Sequence, residues 1–163
     1  MGVREQLCVI CRGAEADAEL ERVQVWEDAH WRLTMSLASE TPGFSYLEPK
    51  RHIPFITELN GEEAVSFGGV LARVTSNLRA ETGADAVYVY VFGDGVPHLH
   101  VHLAPHRDGD ALNAQIVRGD LIEEKLPNGI TRFTSAEFPA LPREELAAVA
   151  EGVKKRLARV TSG

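Results

Sequence analysis

The chain has 163 residues, 44% hydrophobic and 25% charged, the balance of a folded globular protein, and this excludes wholesale disorder. No apolar run approaches the ~18–20 residues of a membrane helix, and residues 1–6 lack the apolar core of a signal peptide, so a cytoplasmic protein without a membrane partner is expected. Lys and Arg number 17 against 24 Asp and Glu, and the charge of −7 lacks the footprint of a general nucleic-acid binder, although a few local donors can still hold a small anion.

Taken in chain order, the first feature is Cys8-Val9-Ile10-Cys11, which contains both cysteines of the sequence. A disulfide framework is excluded; a metal half-site, a redox dithiol or no role at all remain open. Residues 23–28 read as a short strand and residues 31–37 as a second. In the latter Trp31, Leu33, Met35 and Leu37 alternate with Arg32, Thr34 and Ser36, the period of a half-buried strand. Glu27-Asp28-Ala29-His30 suits the hairpin turn between them, Thr41-Pro42-Gly43 a second turn, and residues 44–48 a third strand closed by Pro49.

A helix is predicted from Asn60, a capping residue, with Glu62 and Glu63 in its first turn. Phe67, Val70, Leu71, Val74 and Leu78 keep helical spacing, and Gly83 provides the stop. Residues 86–92 are apolar and rich in Val and Tyr, which predicts a buried strand, followed by a tight turn at Gly93-Asp94-Gly95. Residues 98–103 form the next strand. Residues 107–134 suggest a loop and a hairpin turning at Pro127-Asn128-Gly129. A last helix spans about 142–160, with Leu146, Val149, Ala150, Val153 and Leu157 as its apolar stripe. The fold class is α+β: one domain with an antiparallel sheet of about five strands and two main helices.

Four of the six histidines fall between His98 and His106. Side chains alternate along a strand, so His98, His100 and His102 share one face, roughly 6.5–7 Å apart, while Leu99, Val101 and Leu103 share the other. A strand seeking only stability would use Thr, Val or Tyr here, because each buried imidazole needs hydrogen-bond partners. As further metal ligands, His52, His30, His98 and His106 are the candidates by residue type.

The run His98 to Ala104 resembles the motif of the histidine-triad (HIT) family, His-φ-His-φ-His-φ-φ with φ apolar. Val25-Trp26-Glu27-Asp28 is similar to the family's first hairpin, and Glu48-Pro49-Lys50-Arg51-His52-Ile53 to its Pro-Lys-x-His strand end. The resemblance covers about residues 8–107, with residues 108–163 as a C-terminal extension. It implies a HIT-like fold and a homodimer. It also implies a nucleotide hydrolase or nucleotidyltransferase, hydrolysis favoured, acting at the α-phosphate of a dinucleoside polyphosphate, phosphoramidate or nucleotide sugar. His100 would be the nucleophile that becomes nucleotidylated, and His102 would contact the phosphate. Neutral imidazole is nucleophilic near pH 7, and covalent catalysis divides one hard displacement into two easier ones. Gly93, Asp94 and Gly95 would offer backbone donors to the phosphate. By the same resemblance Cys8, Cys11, His52 and His98 would hold a closed, structural Cys₂His₂ zinc.

Three positions depart from the family pattern. Gly43-Phe44 stands where Gly-His is common. Ser36 occupies the place of an acid that holds the ribose hydroxyls. Gly93-Asp94-Gly95 replaces a Gly-Gln-Ser/Thr segment. The nucleophile is kept while the nucleoside and leaving-group pockets are altered. A non-catalytic nucleotide-binding protein on the same scaffold is the alternative reading.

Overall fold

Alternating apolar and polar residues become two sheet faces with different covers. The computed structural model describes residues 8–93, 95–110 and 121–160. A 3₁₀ turn, Ile10–Arg12, and a short helix α1, Ala14–Glu19, precede a hairpin of β1, Arg22–Glu27, and β2, Trp31–Ser36. β3, Ser45–Pro49, leads through a second 3₁₀ turn, Ile56–Glu58, to the long helix α2, Gly61–Thr82. β4, Ala86–Tyr90, and β5, Val101–His106, complete a five-stranded sheet of order β1-β2-β3-β5-β4, antiparallel throughout. A separate hairpin of β6, Leu121–Lys125, and β7, Thr131–Ser135, turns at Pro127-Asn128-Gly129 as expected, and helix α3, Arg143–Val160, follows.

The apolar face carries Leu33, Met35, Leu47, Val101 and Leu103, all fully buried. α2 covers it with Val74 and Leu78, and α3 with Ala150, Val153 and Leu157, in one continuous core. Burial of each such side chain is worth about 1.5–3 kcal/mol. α3 therefore lies on the opposite side of the sheet from the triad face. It touches β1 and α2, and Arg73 Nη2 donates to the Leu157 carbonyl at 3.0 Å.

The first turn is built as its residues require: Asp28 Oδ1 accepts from the backbone N–H groups of His30 at 2.8 Å and Trp31 at 2.7 Å. Gly43 has φ +81°, and a Cβ there would sit 2.8 Å from Thr82 Cγ2, so this turn admits only glycine. Gly83 ends α2 in the left-handed conformation, φ 65° and ψ 25°.

Four expectations are corrected. Asn60 does not cap α2 through its side chain: Nδ2 donates to the Glu58 carbonyl and Oδ1 accepts from Arg51. β4 is an edge strand rather than a buried one, with Val89 44% exposed. Strand pairing on β5 begins at Val101, so His98 and His100 lie in the segment leading into it. Finally, β2 is buried on both faces, Arg32, Thr34 and Ser36 included. Its second face is covered too.

Candidate functional site

That cover is electrostatic. α1 brings Asp17 over the sheet, where Arg22 of β1, Arg32 of β2 and Glu48 of β3 close a ring of four charges. Arg22 Nε donates to Asp17 Oδ1 at 2.8 Å and Arg22 Nη1 to Glu48 Oε1 at 2.6 Å. Arg32 Nε donates to Glu48 Oε2 at 2.9 Å, and its two terminal nitrogens to Asp17 at 2.9 and 3.1 Å. No side chain of the four is more than 8% exposed. The ring is neutral, and each buried charge is paired and hydrogen-bonded, which is the condition for placing it there.

α1 follows directly on the cysteines, whose segment reaches the end of β3 and the approach to β5. Cys8 Sγ lies 3.5 Å from His98 Nδ1, Cys11 Sγ 3.3 Å from the same nitrogen, and Cys11 Sγ 3.4 Å from His52 Nδ1. The four ligand atoms all lie within 4.8 Å of one another. Tetrahedral zinc, with its usual bonds to sulfur and nitrogen, spaces its ligand atoms by about 3.3–3.8 Å. Donor set and spacing therefore fit a structural zinc with no open position. His98 is orientated for it: Nε2–H donates to the Pro49 carbonyl at 2.8 Å, so Nδ1 keeps its lone pair for the metal. Burial holds the His98 pKa below the ordinary imidazole value and favours this neutral form. The other two histidines considered by residue type lie elsewhere. His30 sits in the first turn, and His106 pairs with Asp110 at 2.9 Å and stacks on Tyr88.

Two residues on, His100 Nδ1 is 2.6 Å from the backbone carbonyl of His98. A carbonyl only accepts, so Nδ1 carries the proton and Nε2 presents its lone pair. The metal set and the outward nitrogen of His100 are thus joined through one residue, His98.

His102 stands in an aromatic enclosure. Tyr90 stacks on it at 4.9 Å and 7°, Phe92 and Tyr46 meet it edge-on at 5.3 Å each, and Phe44 approaches to 6.1 Å. His100 is 5.1 Å away, ring to ring. Burial, then the neighbouring His100, push the His102 pKa down to about 4, against a smaller upward pull from the Tyr90 backbone. His102 is neutral at physiological pH and donates one proton rather than a charge. Burial likewise pushes Tyr46 up to about 12.

Ser36 lies at the edge of this face, where its Oγ accepts from the backbone of Ala38 at 3.2 Å and its own O–H remains to donate. Gly93 and Gly95 hold φ of 71° and 80°, and a side chain on either would meet open space. Asp94 lies outside the described residues. The structure thus brings Cys8, Cys11, His52 and His98 together, and sets His100 and His102 beside them. The sequence reading missed the Asp17–Arg22–Arg32–Glu48 ring and the rings around His102. The signal for the ring was present only as a pairing, since Arg32 and Glu48 face each other in the β2–β3 register.

A small α+β fold that carries a Cys₂His₂ ligand set and an alternating run of histidines leading into β5 defines the class. Residues 17–109, more than half of the chain, match the family model of the HIT domain, and the chain belongs to that family. It is 29% identical over 112 residues to the uncharacterized HIT-like protein Rv1262c of Mycobacterium tuberculosis, covering 65% of this chain and 76% of that protein. It is 27% identical over 103 residues to the nitrilase and fragile histidine triad fusion protein NitFhit of Caenorhabditis elegans, covering 60% of this chain but 23% of the fusion. In fold it is similar to a zinc-bound histidine triad family protein from Mycobacterium smegmatis, with a TM-score of 0.64 at 20% identity over 96% of this chain and 99% of the other. A hypothetical histidine triad nucleotide-binding protein from Sulfolobus tokodaii gives 0.66 at 18% identity, over 94% and 93%. Among the described residues no helix is long and apolar enough to cross a membrane.

Proposed function

We propose that this HIT protein is a cytoplasmic hydrolase of nucleotide conjugates that works through a nucleotidyl-His100 intermediate. The observation that carries the reading is the 2.6 Å contact between His100 Nδ1 and the His98 carbonyl, because it fixes the tautomer a nucleophile needs. Nε2 attacks the α-phosphorus, a P–N bond forms, and the bond from phosphorus to the leaving group breaks. The leaving group departs with a proton taken from solvent, which the attacking water of the second step returns. Water then attacks the same phosphorus, the P–N bond breaks, and His100 is regenerated with the nucleoside monophosphate released. His102, Gly93 and Gly95 contact the phosphate oxygens, and Ser36 donates to the nucleoside.

A zinc held by Cys8, Cys11, His52 and His98 is structural, because four protein ligands leave no open position; the Mycobacterium smegmatis neighbour is itself zinc-bound. It supplies rigidity, and His98 passes that rigidity to His100. A homodimer is part of the same reading.

The test is nucleotide release from dinucleoside polyphosphates, nucleoside phosphoramidates and nucleotide sugars, with wild type and His100→Ala run together. Wild type is expected to release nucleotide and His100→Ala to lose at least ~10³-fold, the scale typical of removing a covalent nucleophile. Equal rates for the two proteins would overturn the reading. Binding without release by either would leave a non-catalytic nucleotide-binding protein.

A further inference from the structure

The two neighbours of β5 bring different groups to the triad end of the sheet. On the β3 side, the ladder ends with Leu47 paired to Val101, and Glu48 follows Leu47. Glu48 is fully buried, and both its oxygens are taken by arginines. Nothing from solvent enters there without breaking the charged ring. On the β4 side, Tyr90 is paired with His102, and Phe92 follows two residues later with its ring against His102, whose own ring lies 5.1 Å from that of His100. Phe92 is 59% exposed, and its ring lies 5.2 Å from Tyr90 and 5.3 Å from His102. One edge of this phenyl ring is fixed by two packed rings while much of the rest meets water. The position that an acid would use to hold ribose is Ser36, whose oxygen is partly engaged with Ala38.

We propose that Phe92 is the platform of a stacking subsite, and that a planar heteroaromatic ring of the substrate docks on it, on the β4 side of the triad. The subsite deepens the nucleotide reading above and rests on it. Stacking suits this place because every heteroaromatic ring offers a π-face whatever its edge groups, so it needs none of the polar partners that the ion ring has already consumed. Tyr90 fixes the platform from behind, and Phe44 extends the aromatic row beyond His102. Phe92 is a specificity-determining residue here: it holds the ring while His100 meets the phosphorus.

The ring has two chemical sources, the nucleobase and an aromatic leaving group. The measurement uses four 5′-phosphoramidates, pairing adenosine or plain ribose with an indolylethylamine or a butylamine. Phe92→Ala and Phe92→Trp are compared with wild type. For conjugates whose ring uses the subsite, Phe92→Ala is expected to raise KM about tenfold with kcat held, and Phe92→Trp to restore it. If the rise follows adenosine, the base is the occupant; if it follows the indole, the leaving group is. An equal effect on all four conjugates, or a fall in kcat that Trp does not rescue, would assign Phe92 to packing His102 and overturn the proposal.

Binding separates this from a failure of the catalytic reading. In His100→Ala carrying Phe92→Trp, AMP is expected to quench the new indole and ribose 5-phosphate is not. Quenching without turnover in the parent protein would retain the subsite and discard the enzyme. Turnover in the parent, with no quenching by AMP and no response to Phe92→Ala, would discard the subsite alone.

Discussion

The triad face has two halves, held by different forces. Toward β1, α1 lies over the sheet and the four charges of Asp17, Arg22, Arg32 and Glu48 pair with one another, beside a metal-ligand set. Toward β4, the contacts are ring on ring, and Phe92 is exposed. The first half is directional, since each partner needs a particular geometry and the loss of one strands another. The second half is adaptable, because ring packing tolerates exchange of one ring for another. A fold can hold a metal-ligand set on the first kind of support while leaving the other half of the same face free to change its rings.

The largest expected effect tests the metal. Structural zinc contributes about 10 kcal/mol or more of apparent binding energy, comparable with the whole stability of a domain. Cys8→Ser, or chelation of the wild type, is therefore expected to abolish the cooperative thermal transition or lower it drastically. Elemental analysis is expected to give one zinc per chain. A metal-free protein that melts like the wild type would remove zinc from the comparison.

Next comes the charged ring. Glu48→Gln leaves the two arginines short of a buried counter-charge and is expected to cost about 3–5 kcal/mol in denaturant unfolding. A loss under 1 kcal/mol would show that the β1 half is not held by this ring.

The adaptable half carries a smaller, pH-dependent effect. The folded pKa of His102, about 4, lies below its unfolded value near ~6.5, so the unfolded chain binds more protons between them. Stability from this group is present above the unfolded pKa and falls as pH drops toward 4, by about 3 kcal/mol. His102→Phe keeps the ring packing and is expected to remove that slope. A wild-type slope unchanged in the variant would place the titration elsewhere.

The smallest effect is a control on the opposite face. Trp31 is fully buried and its Nε1–H donates to Ser66 Oγ at 3.0 Å. Ser66→Ala is expected to cost about 1 kcal/mol in the same unfolding assay without altering either half of the triad face.

How far the site was legible follows from the kind of pattern each part leaves. The triad is local, so His100 and His102 were named from a run of seven residues. The metal ligands are far apart, and only the family resemblance joined His52 and His98 to the cysteines. The geometry then agreed, with sulfur to nitrogen separations of 3.3–3.5 Å. The charged ring was not legible. Arg32 alternates with Leu33 and so reads as a solvent-facing position; it is buried because α1 covers that face, and six residues without strong periodicity gave no sign of α1. The 86–92 segment misled in the other direction. Its apolar run suggested a buried strand, yet β4 lies at the sheet edge, with Val89 exposed on it and Phe92 exposed just beyond it.

The placement of α3 has a consequence for how the chain is made. Leu157 seals the same core as Leu33 of β2, and Arg73 reaches the Leu157 carbonyl 84 positions away. Until α3 emerges during synthesis, the β1–β2 hairpin shows part of its greasy side to water, even though every strand of the main sheet already exists. The nascent chain must therefore wait for its last helix before the sheet can lock. In that interval its vulnerable surface lies on the side away from the histidines, so a chaperone that shielded it would leave the triad face free.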